Sequence, residues 1–228
     1  DHRDLHSLRR RQRQMCIRDS ARLMLEDRGA NKMLSPELFE EKCFEGLRAL
    51  HFSSVDPQIV QAFLEYLKEQ VEVISYDPGG IYISKLRRMP NVLSSLTIFF
   101  LNETEFQKLS LTPSFLLGKG IKEVVIKMGD KGAQVFYKNG VEKFKAFKVQ
   151  VRDTTGAGDS FNAGYIAARL SSLTIKEALT FANAVAGLKV ERKGGRSSPT
   201  LQEVLVFLEK NGFNNLVNKV KRMWRNDY

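Results

Sequence analysis

Residues 152–170 read RDTTGAGDSFNAGYIAARL. The run has the form of a strand end, a glycine turn and a helix start. Gly156 and Gly158 let the backbone bend tightly and approach a ligand with no Cβ in the way. The helix that follows begins with amide N–H groups that lack partners inside the helix, and with the positive end of its dipole. Such a helix start holds anions, phosphate among them. Asp159 falls in the first turn, where its carboxylate can take a proton from a hydroxyl that attacks a bound phosphoryl group. On a lone G-x-G-D the plainer reading would prevail, an acidic residue stabilising a helix N-terminus; the length of this run raises the chemical one. Phe161, Ile166 and Leu170 anchor the helix to a core, and Gly164 permits close packing.

Outward from this run, strand-like and helix-like segments alternate. ARLMLE (21–26) reads as a strand and DRGAN as a turn. Ser35-Pro36-Glu37 is a helix start, followed by Phe39, Cys43, Phe44 and Leu47 at helical spacing. Residues 50–53 suggest a short strand, and Asp56-Pro57 opens the next helix. The apolar runs at 71–76, 96–101 and 123–128 predict buried strands that end at Asp77, Asn102 and Gly129. A weaker helix separates the first two, and Asn102 caps a short helix over 102–109. Residues 134–137 and 142–147 flank Asn139-Gly140, a strong hairpin signal. Helices are predicted over 158–170, 175–190, 201–210 and 214–225.

This alternation predicts a three-layer α/β fold: a mainly parallel, doubly wound sheet with helices on both faces and an antiparallel hairpin at one edge. In open sheets of this kind ligands bind beyond the carboxyl ends of the strands. Asp77, Asn102, Gly129 and the turn after Val151 all fall at such ends, so four separate motifs converge on one edge.

Composition limits the alternatives. The chain has 228 residues, 43% hydrophobic and 27% charged, as in a globular domain. Two cysteines and three histidines exclude a disulfide framework, a four-ligand zinc site and a Ser–His–Asp enzyme as leading readings. His51 reads as a packed or partly exposed residue. No apolar run approaches the ~20 residues that span a bilayer, so a cytoplasmic protein without a membrane partner is expected. The net charge of +10 invites a nucleic-acid reading. It is concentrated at the ends, with six Arg against three Asp in residues 1–20 and five Lys or Arg against one Asp in residues 210–228. A nucleic-acid partner is therefore not expected. Residues 1–20 read as a non-native or disordered basic stretch, and residues 21–228 as the folded body.

DTTGAGDSF and the NAGY that follows resemble the C-terminal signature of the ribokinase-like, or PfkB-type, carbohydrate kinases. Other positions agree in order: Gly29-Ala30-Asn31, Asn102-x-x-Glu105, the segment 127–132 (KMGDKG), and Asn183 in FANAVAGLKVERKGG. The resemblance runs from about residue 21 to about residue 212. It implies an ATP-dependent phosphotransferase acting on a sugar or nucleoside hydroxyl. Asp159 is then the general base, and the backbone N–H groups of Gly156, Ala157 and Gly158 stabilise the transferring phosphoryl group. Asn102 and Glu105 would help hold Mg2+ and phosphate through water, with a surface helix residue as the plain reading of Glu105. Lys127, Gly129 and Gly132 would pass under the nucleotide, the Lys127 side chain facing either nucleotide or solvent. Asn183 would line the adenine pocket. Asp77-Pro78-Gly79 departs from the common D-x-N-x-R pattern, which leaves the role of Asp77 open. A K+ site is a further implication, with ligands from Asp153, Thr155, Lys189, Arg192, Gly194 and Ser198; equally, Asp153 can simply brace its turn. There is no G-x-x-x-x-G-K-[ST], so the phosphate site is not a Walker loop.

Relatives in this family extend further at the N-terminus, where the first strands, the sugar-binding residues and a small β lid normally lie. The expectation is a kinase core with its β lid missing and, in the intact protein, a homodimer as one open assembly. The competing reading is a truncated, non-catalytic nucleotide-binding fragment.

Overall fold

The computed structural model describes residues 11–16, 22–27, 34–40, 44–67 and 71–224. The Gly29-Ala30-Asn31 stretch, Cys43 and residues 1–10 and 17–20 lie outside the described residues.

Two strands, β1 (Arg11–Cys16) and β2 (Arg22–Asp27), pair antiparallel with Arg11 opposite Asp27 and Cys16 opposite Arg22. They form a two-stranded sheet of their own. The sequence suggests a strand at β2 but no structure at residues 11–16. Strand pairing there uses backbone groups, which need no apolar periodicity in the paired segment.

The second sheet has six strands. They are β3 (Ala49–Ser53), β4 (Val73–Asp77), β5 (Ile98–Asn102), β6 (Glu123–Lys127), β7 (Ala133–Tyr137) and β8 (Gly140–Phe144), in sequential order across the sheet. β3 to β6 run parallel, and β7 and β8 add the antiparallel edge. The hairpin loop is Lys138-Asn139, one residue earlier than the sequence signal centred on Asn139-Gly140, because Tyr137 pairs directly with Gly140. Register brings Ser53 opposite Asp77 and Asn102 opposite Lys127. The carboxyl ends of the four parallel strands therefore form one edge.

Side chains of the central strands alternate between two cores, as a period of two requires. Ile98, Phe100 and Val125 face a core made with α5 (Ala157–Leu170), α6 (Ile175–Val190), α7 (Leu201–Lys210) and α8 (Asn214–Trp224). Phe99, Leu101, Val124 and Ile126 face the other, with α1 (Pro57–Leu67), α2 (Gly79–Leu86), α3 (Glu103–Leu109) and α4 (Pro113–Gly118). Burial on both faces explains why these strands read as unbroken apolar runs. The expected three layers are present.

The helix predicted from Ser35-Pro36 shrinks to a single 3-10 turn, Pro36–Leu38. Ser35 makes no side-chain cap bond, and Phe39 is extended at φ −114° and ψ 133°. Phe39 and Phe44 instead pack edge-on with Phe63, so the apolar spacing serves an aromatic cluster rather than a helix face. The helix α4 was not foreseen; Thr112 caps it by accepting from the Phe115 amide at 3.2 Å. Among the described residues no helix is long and apolar enough to cross a membrane.

Candidate active site

The turn before α5 is built as its sequence dictates. Gly156 is the N-cap residue at φ +79°, a left-handed conformation that glycine adopts without strain. A Cβ there would stand 2.8 Å from the Gly195 carbonyl oxygen. The Ala157 amide donates to the Thr154 carbonyl at 3.2 Å, and the Ser160 amide closes the first intrahelical bond onto Gly156 at 2.9 Å. Helix geometry leaves the Gly158 and Asp159 amides as the first-turn donors directed toward a ligand. Of the three amides singled out in the sequence, that of Ala157 is thus already engaged.

Asp159 is exposed at this helix start. Ser53, at the end of β3, donates its hydroxyl to Asp159 Oδ1 at 3.3 Å. The neighbouring strand end carries Asp77, only 9% exposed. Its Oδ2 accepts from Lys127 Nζ at 2.6 Å and from Asn162 Nδ2 at 2.7 Å, and its Oδ1 accepts from the Gly79 amide at 3.3 Å. Burial pushes this carboxyl up, but the Lys127 charge and the hydrogen bonds outweigh burial and hold it below its ordinary range. Lys127 also donates to Asn162 Oδ1 at 3.0 Å. A Cβ on Gly158 would lie 3.4 Å from the same ammonium. Lys127 therefore turns toward the start of α5 rather than to solvent, and Asp77 has a definite place despite its departure from the common pattern.

Beyond the helix start opens a cavity of about 690 Å³. Phe147, Val149, Ala186 and Val190 give it apolar walls, and Asn183 and Lys127 contribute polar groups. Gly129, Gly132, Ala157 and Gly158 also border it, whereas Asn102, Glu105 and Asp159 stand outside. Asn183 is buried and donates to the Leu179 carbonyl at 2.7 Å. The size and the mostly apolar lining match a small-molecule site.

Asn102 and Glu105 form a reciprocal capping box on α3: each side chain accepts the other's backbone amide at 2.8 Å. Glu105 is 7% exposed, and burial pushes its carboxyl above the ordinary value. The motif thus has a structural task of its own. Asp153 accepts from the Thr155 amide at 2.9 Å and from the Gly194 amide at 2.8 Å, bracing the turn. His51 lies on β3 with Nδ1 at 2.9 Å from Ser75 Oγ, while its buried Nε2 has no hydrogen-bond partner.

Ser53 and Asn162 are the site residues that sequence reasoning missed. Asn162 lies within the conspicuous run, three positions after Asp159, yet nothing local says that it reaches Asp77. The register of β3 against β4 is what brings Ser53 to Asp159.

A family model described as pfkB family carbohydrate kinase matches residues 10–201. The chain belongs to this family. The match begins inside the stretch that composition sets apart as foreign. The ATP-dependent ribose-1-phosphate kinase of Halopiger xanaduensis is 31% identical over 189 residues, covering 82% of this chain and 63% of that protein. Among solved structures, ribokinase from Thermotoga maritima superposes with a TM-score of 0.74 at 29% identity, over 88% of this chain and 69% of that one. Arabidopsis thaliana ribokinase complexed with ribose and ATP does so with a TM-score of 0.72 at 28% identity, over 86% and 67%. The chain spans between 42% and 63% of the length of three curated relatives that it matches, the Halopiger xanaduensis kinase and the ribokinases of Haemophilus influenzae and Arabidopsis thaliana.

The residues of this PfkB-family chain suit ATP and Mg2+. The cavity offers apolar walls for a base and leads to the glycine-lined helix start for phosphates. Mg2+ takes oxygen ligands and keeps several waters, so it is held by one or two carboxylates together with substrate phosphates. Glu105 carries a carboxylate at the strand edge, its Oε2 accepting from the Asn102 amide. Among the described residues no cluster of three or more His, Cys, Asp or Glu could hold a metal ion.

Proposed function

We propose that this PfkB-family chain carries the ATP-binding and phosphoryl-transfer centre of a kinase acting on a hydroxyl of a sugar or nucleoside. The carrying observation is the exposed Asp159 carboxylate in the first turn of α5, directly after Gly158, which borders both the Lys127 ammonium and the cavity. The names of the relatives, a ribose-1-phosphate kinase and ribokinases, direct attention to a ribose-type acceptor.

Each residue has a task in this reading. The cavity walls hold the base, with Asn183 as a polar group beside it. The Gly158 and Asp159 amides and the dipole of α5 attract the terminal phosphates. Glu105 holds Mg2+ through water, and the ion, when bound, supplies charge neutralisation to the phosphates. Asp159 accepts the proton of the attacking hydroxyl; Ser53 hydrogen-bonds Oδ1 and so fixes the carboxylate's rotation. Lys127 sits at the phosphate end, its charge partly balanced by Asp77. Positioning and electrostatics then do most of the work, as phosphoryl transfer requires.

A panel of ribose, ribose 1-phosphate, hexoses and ribonucleosides with radiolabelled ATP tests this reading. It predicts label on one acceptor class above the rate of ATP hydrolysis alone. Label on none of them would refute it.

A further inference from the structure

Lys189, near the end of α6, is completely buried. A buried ammonium is costly unless its donors find oxygen partners. Here they are backbone carbonyls: Lys189 Nζ donates to the Asp153 oxygen at 3.3 Å and to the Arg192 oxygen at 3.4 Å. These two carbonyls belong to separate segments, the turn leading into α5 and the loop leaving α6.

The same two segments are tied again by the Asp153 carboxylate, which accepts from Gly194. Ser160 and Ser198 hydroxyls lie 2.7 Å apart. The Gly195 carbonyl packs so closely under Gly156 that no Cβ would fit. One positive charge thus stands beneath the turn that places Gly158 and Asp159.

The family resemblance implies a K+ ion held by these segments. The residues present do not fit it. The backbone carbonyls of two of the residues named as ligands, Asp153 and Arg192, already accept from Lys189, and the Ser198 hydroxyl is engaged by Ser160. A K+ ion held by these same segments would also meet the like charge of the ammonium, with little solvent to screen it. We propose that the Lys189 ammonium is a built-in replacement for the monovalent cation, so that the α5 turn is held in its working shape without K+.

The test is the melting temperature of the full chain in KCl, NaCl and choline chloride at equal ionic strength, a readout that needs neither substrate nor turnover. Wild type is expected to melt within about 1 °C in all three salts. Lys189→Met, which keeps the bulk and loses the charge, should melt about 5–10 °C lower. Lys189→Ala, which opens the place of the ammonium, should recover part of its loss in KCl and none in choline chloride. A wild-type protein that melts several degrees higher in KCl than in choline chloride would overturn the proposal, whatever the variants do. So would a Lys189→Met chain that melts like wild type.

Discussion

The Lys127 ammonium lies 2.6 Å from Asp77 Oδ2, joining the carboxyl ends of β6 and β4 across the intervening strand β5. Both side chains are nearly buried, at 14% and 12% exposure. Removing one partner of such a pair leaves the other uncompensated. Lys127→Met should therefore cost about 3 kcal/mol of stability, read as a lower urea midpoint, and should weaken ATP binding as well. An unchanged midpoint would show that Asp77 does not depend on Lys127.

The same pair sets an acid limit. The folded carboxyl of Asp77 is held below its ordinary 3.8, because Lys127 and the hydrogen bonds override burial. As pH falls, the unfolded chain takes up this proton first. The contribution of Asp77 is therefore complete above pH 3.8 and is lost as pH falls from there through the folded value. Acid titration of stability should show a shallower loss below pH 4 in Asp77→Asn than in wild type, relative to each protein at pH 6.

His51 titrates in a different window. Burial is the largest influence and holds its imidazole below the ordinary 6.5. Below that pH the unfolded chain is protonated while the folded imidazole stays neutral, so stability falls as pH drops. His51→Phe should remove this dependence. Between pH 7 and pH 5, wild type should lose up to about 1.4 kcal/mol per pH unit more than the variant, measured by urea unfolding at each pH.

Behind the site, α5 is fastened to β6 by a triad around the buried Glu123. Tyr165 donates to Glu123 Oε2 at 2.7 Å, and Arg169 donates to Glu123 Oε1 at 2.7 and 2.9 Å. Glu123→Ala leaves the buried Tyr165 hydroxyl unanswered and takes the carboxylate from Arg169, which keeps the Leu173 carbonyl, and should cost about 3 kcal/mol. Tyr165→Phe removes one hydrogen bond and should cost about 1 kcal/mol. Neither residue borders the cavity, so ATP affinity of the folded protein should stay within about twofold; a larger change would mean that the triad tunes the site.

Gly156→Ala tests the turn itself. Its left-handed φ and the Gly195 carbonyl at 2.8 Å forbid a side chain without a backbone shift. A cost of about 1–3 kcal/mol is expected, with a weakened nucleotide site detectable by titration with an ATP analogue.

The layers of the fold were legible because their cause is local. Ile98, Phe99, Phe100 and Leu101 form one apolar run whose members feed two cores in alternation, so the run itself announces a strand buried on both faces. The turn at Gly156 and the acid at Asp159 are likewise adjacent in the chain. What the sequence concealed is set by contacts between distant segments. Lys127 turns to Asp77 and Asn162, and Lys189 reaches under the turn at Asp153, through packing that no local pattern records. The predicted helix after Ser35 failed for the converse reason: apolar spacing fits a helix, but Phe39 and Phe44 gain more by packing edge-on with Phe63.

The role of Asp159 is tested most directly by comparing phosphoryl transfer from radiolabelled ATP in wild type and Asp159→Asn, with ATP affinity measured in parallel. A general base at this place predicts a fall in turnover of about 10²–10⁴-fold, with ATP affinity changed by less than about threefold. Turnover in Asp159→Asn within a few-fold of wild type would contradict the account.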